Sequence, residues 1–98
     1  MSSIFGNPNH PDSGISTFVS QETFDEELGR KLATHRRDLG ISQDYLSSSL
    51  RRDQTFVSKV ETGKRSITLF EYIRWCKALN LDESTVQETL SKLESHVE

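Results

Sequence analysis

The chain has 98 residues, 33% hydrophobic and 28% charged, with a formal net charge of −3. A chain this size buries roughly two-thirds of its unfolded surface, enough for one hydrophobic core and no second domain. The longest apolar run is two residues, which excludes a transmembrane helix and a signal-peptide core, and a single cysteine, Cys76, excludes a disulfide framework and a Cys-rich zinc site.

A reducing, cytoplasmic setting is expected. The net charge divides unevenly. Residues 1–23 carry Asp12 and Glu22 and no cation. Residues 24–82 carry eleven Lys or Arg against nine Asp or Glu. Residues 83–98 carry Lys92 against Glu83, Glu88, Glu94 and Glu98. A mildly basic centre between acidic ends is compatible with an anionic partner, because binding depends on the local patch.

Residues 1–20 show no helical or strand period and concentrate Ser, Asn, Gly and Pro, which favour turns. A flexible N-terminal tail is expected over 1–22, with Ile4, Phe5, Phe18 and Val19 able to dock locally. Thr23-Phe-Asp-Glu26 has the form of a capping box and opens a first helix over about 24–39. Its inward face is Phe24, Leu28 and Leu32, extended by Leu39. Gly40 follows it as a C′ residue.

Ser42 caps a short second helix with Leu46 and Leu50 inward and Tyr45 as a further candidate. Asp53 caps the third, from Gln54 to about Glu61, with Val57 and Val60 inward, and Gly63 ends it. Thr68-Leu-Phe-Glu71 is a second capping box. The helix it opens is expected to bury Leu69, Ile73, Cys76 and Leu79, with Phe70, Tyr72 and Trp75 flanking. Asp82 caps a last helix whose Val86, Leu90, Leu93 and Val97 form a heptad-like stripe. Every element is helical and every connection short.

Two short helices joined at Arg51–Asp53, the second with a polar outer face, make a helix-turn-helix pattern. Gln54, Thr55, Ser58 and Lys59 lie on one side of the third helix, opposite Val57 and Val60. Amides, hydroxyls and cations are the groups that read base edges in the major groove. The helix starts at Ser42 and Asp53 can aim backbone N–H groups at phosphates. Lys64 and Arg65 follow the helix in position for backbone contact.

On these residues the chain resembles the Cro/repressor (Xre, lambda-repressor-like) helix-turn-helix family. The matching residues are Arg36, Gly40-Ile-Ser-Gln43, Leu46, Leu50, Gln54-Thr-Phe-Val-Ser-Lys-Val-Glu61, Thr62 to Arg65, and Ala78-Leu79, within residues 24–82. The resemblance implies an all-α, five-helix lambda-repressor-like DNA-binding domain over 23–82. It implies double-stranded operator DNA as ligand and a homodimer as the binding form. By position, Gln43 resembles a phosphate-clamping residue and Gln54 and Thr55 the leading base readers, with Ser58 and Lys59 one turn later. Arg36 and Glu61 resemble a structural ion pair. The family usually has Ala and Gly where this chain has Ser47 and Arg51, and a left-handed turn at Arg51 would cost about 1 kcal/mol. It often has Tyr where Phe56 stands; Phe56 is expected to touch a thymine methyl or sugar on the DNA backbone.

Residues 83–98 are expected to pair two subunits through Val86, Leu90, Leu93 and Val97. Trp75 and Cys76 are expected in the core. His10, His35 and His96 have no metal-ligand spacing, and no nucleophile–base set, phosphate loop, metal or cofactor site is legible. The expected function is a sequence-specific, dimeric repressor on a palindromic operator, not an enzyme. Its rivals are an antitoxin or a restriction-modification controller that regulates its own promoter, and a protein-interaction module that has lost DNA binding.

Overall fold

A computed structural model gives the fold and describes residues 20–94 and 97. Its helices are α1 (Gln21–Asp38), α2 (Gln43–Leu50), α3 (Gln54–Glu61), α4 (Leu69–Ala78) and α5 (Glu83–Glu94), with no strand among the described residues. Residues 1–19 of the tail expected over 1–22, with His10, and the C-terminal His96 lie outside the described residues, and the rest of that expected tail is the cap and first turn of α1.

Local chemistry sets the helix starts. Ser42, Asp53 and Asp82 each accept a backbone N–H three residues on, at 3.0, 3.1 and 2.8 Å. Thr68 and Glu71 form the full capping box: Glu71 N–H donates to Thr68 Oγ1 at 3.1 Å, and Thr68 N–H donates to Glu71 Oε1 at 2.9 Å. α1 differs from expectation. Its N-cap is Ser20, which accepts from Thr23 N–H at 3.1 Å, so Gln21 and Glu22 are helical and Thr23 lies in the first turn. Both residues are good caps. The earlier one wins a further turn, and Gln21 uses it to donate to the buried Asp25 at 2.8 Å.

α1 packs on α3 and α5, and α2 packs on α3 and α4. The shared core is centred on Val57 and Trp75, both 0% exposed, with Leu32, Leu46 and Val60 around them. Phe56 and Trp75 meet at 6.0 Å between ring centroids, tilted by 56°. Such a pair adds about 0.5–1.5 kcal/mol beyond its burial.

Helix faces differ from expectation in α4, at the end of α1 and in α5. In α4 the buried stripe is Tyr72, Trp75, Cys76 and Leu79, while Leu69 and Ile73 are 74% and 46% exposed and Phe70 is 70% exposed. Two apolar stripes share Cys76 as a boundary, and the one carrying Trp75 faces Phe56 and wins. Leu39 is exposed because α1 ends at Asp38 and Leu39 is its C-cap. In α5 the helical period turns Val86, Thr89 and Leu93 toward the domain. Leu93 is 2% exposed and Val86 packs against the core. Leu93 therefore belongs to the fold of one chain and not to a subunit contact; Leu90 and Val97 stay exposed.

Candidate nucleic-acid interface

The turn between α2 and α3 takes the left-handed conformation at Arg51, with φ 57° and ψ 42°. Arg51 N–H donates to Ser48 O at 3.1 Å and Arg52 N–H to Ser47 O at 2.9 Å, closing the end of α2. Ser47 is buried, and its hydroxyl is satisfied by Asp44 O at 2.8 Å. The hydroxyl therefore does not keep α2 from seating against its neighbours. Asp53 then starts α3 at once.

α3 presents Gln54, Thr55 and Lys59 to solvent, with Ser58 half-buried beside them and Val57 and Val60 on the opposite side. All four expected base-reading residues thus share one exposed face. Lys59 and Lys64 are exposed, and no acidic side chain among the described residues pairs with either.

A buried ion pair fixes α3 at its far end. Arg36 Nε and Nη2 donate to Glu61 Oε2 and Oε1 at 2.7 and 3.0 Å, and Arg36 Nη1 donates to Ile41 O at 2.8 Å. Both residues are 8% exposed. The bidentate geometry and the third bond compensate for desolvating two charges. The expected Arg36–Glu61 pair is present.

The network reaches the surface. Gln43 Nε2 donates to Glu61 Oε1 at 2.9 Å, and Gln43 Oε1 accepts from Gln54 Nε2 at 3.2 Å. Each amide is oriented by the next. Gln54 is left with its side-chain carbonyl and one N–H, the acceptor and donor that adenine N6 and N7 require.

On the other flank Phe56 is buried, against expectation, because it packs on Trp75 and is covered by two cations. Arg52 Cζ lies 3.9 Å and Arg65 Cζ 4.7 Å from its ring centroid. Both guanidiniums bond Glu71. The Arg65 hydrogen bonds above all, with Thr68 N–H and Arg52 adding, pull the Glu71 carboxyl down to about 2 against the effect of burial. Phe56 is therefore not a DNA contact but the platform under two arginines.

Four contributors were not assigned to the site from sequence. Gly29 sits where α1 meets the end of α3: a Cβ there would lie 2.3 Å from Val60 O and 2.7 Å from Glu61 O. A glycine inside a helical pattern is the signal that marks such an approach. Buried Asp25 accepts from Ser66 Oγ and ties the α3–α4 loop to α1. Arg52 and Glu71 gave no signal beyond ordinary surface charge and a cap.

No group of three or more His, Cys, Asp or Glu residues suited to a metal occurs among the described residues. Burial pushes the Cys76 thiol up, away from the reactive thiolate. No helix among the described residues is long and apolar enough to cross a membrane.

A family model described as a helix-turn-helix domain matches residues 27–89. No curated protein sequence matches the chain. Among solved structures, the clp gene regulator ClgR from C. glutamicum is similar, with a TM-score of 0.63 at 23% identity over 70% of this chain and 88% of that one. The restriction-modification controller protein C.AhdI from Aeromonas hydrophila is similar with a TM-score of 0.56 at 28% identity, over 58% of this chain and 86% of that one. A variant of the restriction-modification controller protein C.Esp1396I gives a TM-score of 0.65 at 20% identity, over 71% of this chain and 93% of that one. The likenesses to ClgR and to the C.Esp1396I variant are likenesses of fold.

Proposed function

The chain belongs to the helix-turn-helix domain family, and on that premise we propose that it is a sequence-specific DNA-binding transcriptional regulator whose α3 lies in the major groove. The observation that carries this reading is the oriented amide of Gln54, on an exposed face with Thr55, Ser58 and Lys59, held through Gln43 to the buried Arg36–Glu61 pair. Groups that read bases must be preorganised, or ordering them on binding consumes the affinity they supply. Gln43, Lys64 and Arg65 take phosphates.

The chain binds as a homodimer, because one short recognition helix reads too few base pairs to select a site and pairing half-sites multiplies affinity. Among the described residues, α4 exposes three large apolar side chains, Leu69, Phe70 and Ile73, which we take as the contact, while Leu90 and Val97 stay exposed at the C-terminal end. Occlusion of a promoter is the simplest regulatory consequence, and the role is binding rather than catalysis. A restriction-modification controller that regulates its own promoter is the second reading, favoured by the likeness to C.AhdI.

A salt titration against random-sequence duplex DNA tests the reading. Binding that weakens linearly in log affinity against log salt supports it. Absence of DNA binding at low salt favours an interaction module instead.

A further inference from the structure

Placing α3 in a major groove, with Gln43 on one wall, leaves open how Arg65 is held toward a phosphate on the other. Gln43 and the start of α2 stand beside Gln54 and Glu61, on one flank of α3. Phe56 lies two residues on from Gln54, about 200° round the helix, and so on the other flank. Its ring is the floor on which Arg52 and Arg65 rest.

Neither arginine is a loose surface cation. Arg65 Nη1 and Nη2 donate to Glu71 Oε1 and Oε2 at 2.9 and 3.1 Å, and Arg65 Nη1 also donates to Ser66 O at 2.9 Å. Arg52 Nη1 donates to Glu71 Oε2 at 3.0 Å. Glu71 is itself fixed by the capping box at the start of α4. The two guanidiniums are thus oriented by a carboxylate and by stacking, which removes rotamer freedom before any ligand arrives. One carboxylate against two guanidiniums leaves a positive balance. The Nε–H of Arg65, and the Nε–H and Nη2 donors of Arg52, make no hydrogen bond to any of the described residues. Arg52 precedes the α3 cap and Arg65 follows its end, so cations from both sides of the recognition helix in sequence converge on one ring and one carboxylate.

We propose that Arg52 and Arg65, held over Phe56 by Glu71, form a preassembled clamp for a DNA phosphate on the groove wall opposite Gln43. The proposal rests on the reading of α3 as the recognition helix. It assigns Arg52 as a backbone contact and Glu71 as a positioning residue. It also sets an unusual sign: neutralising an acidic side chain beside the DNA weakens binding. Simple charge counting predicts the reverse.

The test is a salt titration of binding to random-sequence duplex DNA by the full chain and by Arg52→Gln, Arg52→Lys and Glu71→Gln, with thermal unfolding of each. Arg52→Gln is expected to lower the salt slope by about one per subunit while unfolding stays cooperative. Arg52→Lys is expected to restore the slope but not the affinity, since an ammonium neutralises phosphate without the planar, stacked geometry. Glu71→Gln is expected to bind several-fold more weakly than the wild type. An Arg52→Gln slope equal to that of the wild type overturns the clamp, as does a folded Glu71→Gln protein that binds more tightly. Should Glu71→Gln lose cooperative unfolding, the two Arg52 variants decide. A wild-type chain with no salt-dependent binding overturns the recognition-helix reading, which separates that failure from failure of the clamp.

Discussion

Gln54 donates its side-chain amide to Gln43 across the α2–α3 turn, at 3.2 Å, and Gln43 in turn donates to Glu61. The residue proposed to read a base is thereby coupled to the residue proposed to hold a phosphate. The two should not act independently on DNA. In a double-mutant cycle on operator affinity, Gln43→Ala and Gln54→Ala are expected to be non-additive by at least about 0.5 kcal/mol. Strict additivity would show that the bond has no part in recognition.

Arg36 and Glu61 are both buried, so losing one partner strands the other's charge. Glu61→Ala is expected to cost about 3 kcal/mol in chemical denaturation, with the Arg36→Ala, Glu61→Ala double variant costing less than the sum. A loss below about 0.5 kcal/mol for Glu61→Ala would contradict the burial of that pair.

Gly29→Ala tests the approach of α1 to α3. Alanine gains about 1 kcal/mol of helix propensity. Its Cβ meets two backbone carbonyls, which cannot rotate away, and overpacking of this kind costs about 1–3 kcal/mol. A lower thermal midpoint is expected, with weakened DNA binding because α3 is the element displaced. A raised midpoint would mean the two helices are not in that contact.

Arg51 carries left-handed strain of about 1 kcal/mol. Arg51→Gly is expected to stabilise the fold by up to that amount, and denaturant midpoints at equal slope measure it. Destabilisation would assign Arg51 a stabilising contact that outweighs its backbone.

The fold was legible where the signal is local. Ser42, Asp53, Thr68 and Asp82 cap the helices they were expected to cap, since a cap needs only its own turn. The polar face of α3 was legible for the same reason. What failed depended on neighbours distant in sequence. Leu69 and Ile73 keep a helical period as good as that of Tyr72 and Trp75, and only the position of Phe56 on α3 selects between them. Leu93 was read as a subunit contact because a stripe does not say which helix it faces. The Arg52–Glu71–Arg65 arrangement joins three segments, and no spacing in the sequence announces it.

Acid should reveal Glu71. Its carboxyl titrates at an ordinary 4.5 when unfolded and at about 2 when folded. The folded chain therefore binds fewer protons across that interval. The pair's contribution is full above about pH 5 and is lost as pH falls toward about 2. The thermal midpoint of Glu71→Gln should be lower than wild type near neutrality, and the gap should close as pH falls through that window. A gap independent of pH would remove the carboxylate from the stability of this corner.

Charging Phe70 on α4 and Leu90 on α5, separately, locates the subunit contact. Phe70→Glu is expected to shift sedimentation toward the monomer with the helical signal intact, and Leu90→Glu to leave the dimer in place. The opposite pattern would put the contact on α5.

The central claim is that Gln54 reads a base from α3 in the major groove. Its most direct test is selection of bound sequences from a random duplex pool, run on the wild type and on Gln54→Ala. The wild type should enrich a near-palindrome with half-site centres about one helical turn, roughly 10 base pairs, apart. Each half-site should contain one position preferring adenine. Gln54→Ala should lose about 1–3 kcal/mol and relax preference at that position alone. A consensus unchanged by the substitution, or no enrichment by the wild type, would contradict the account.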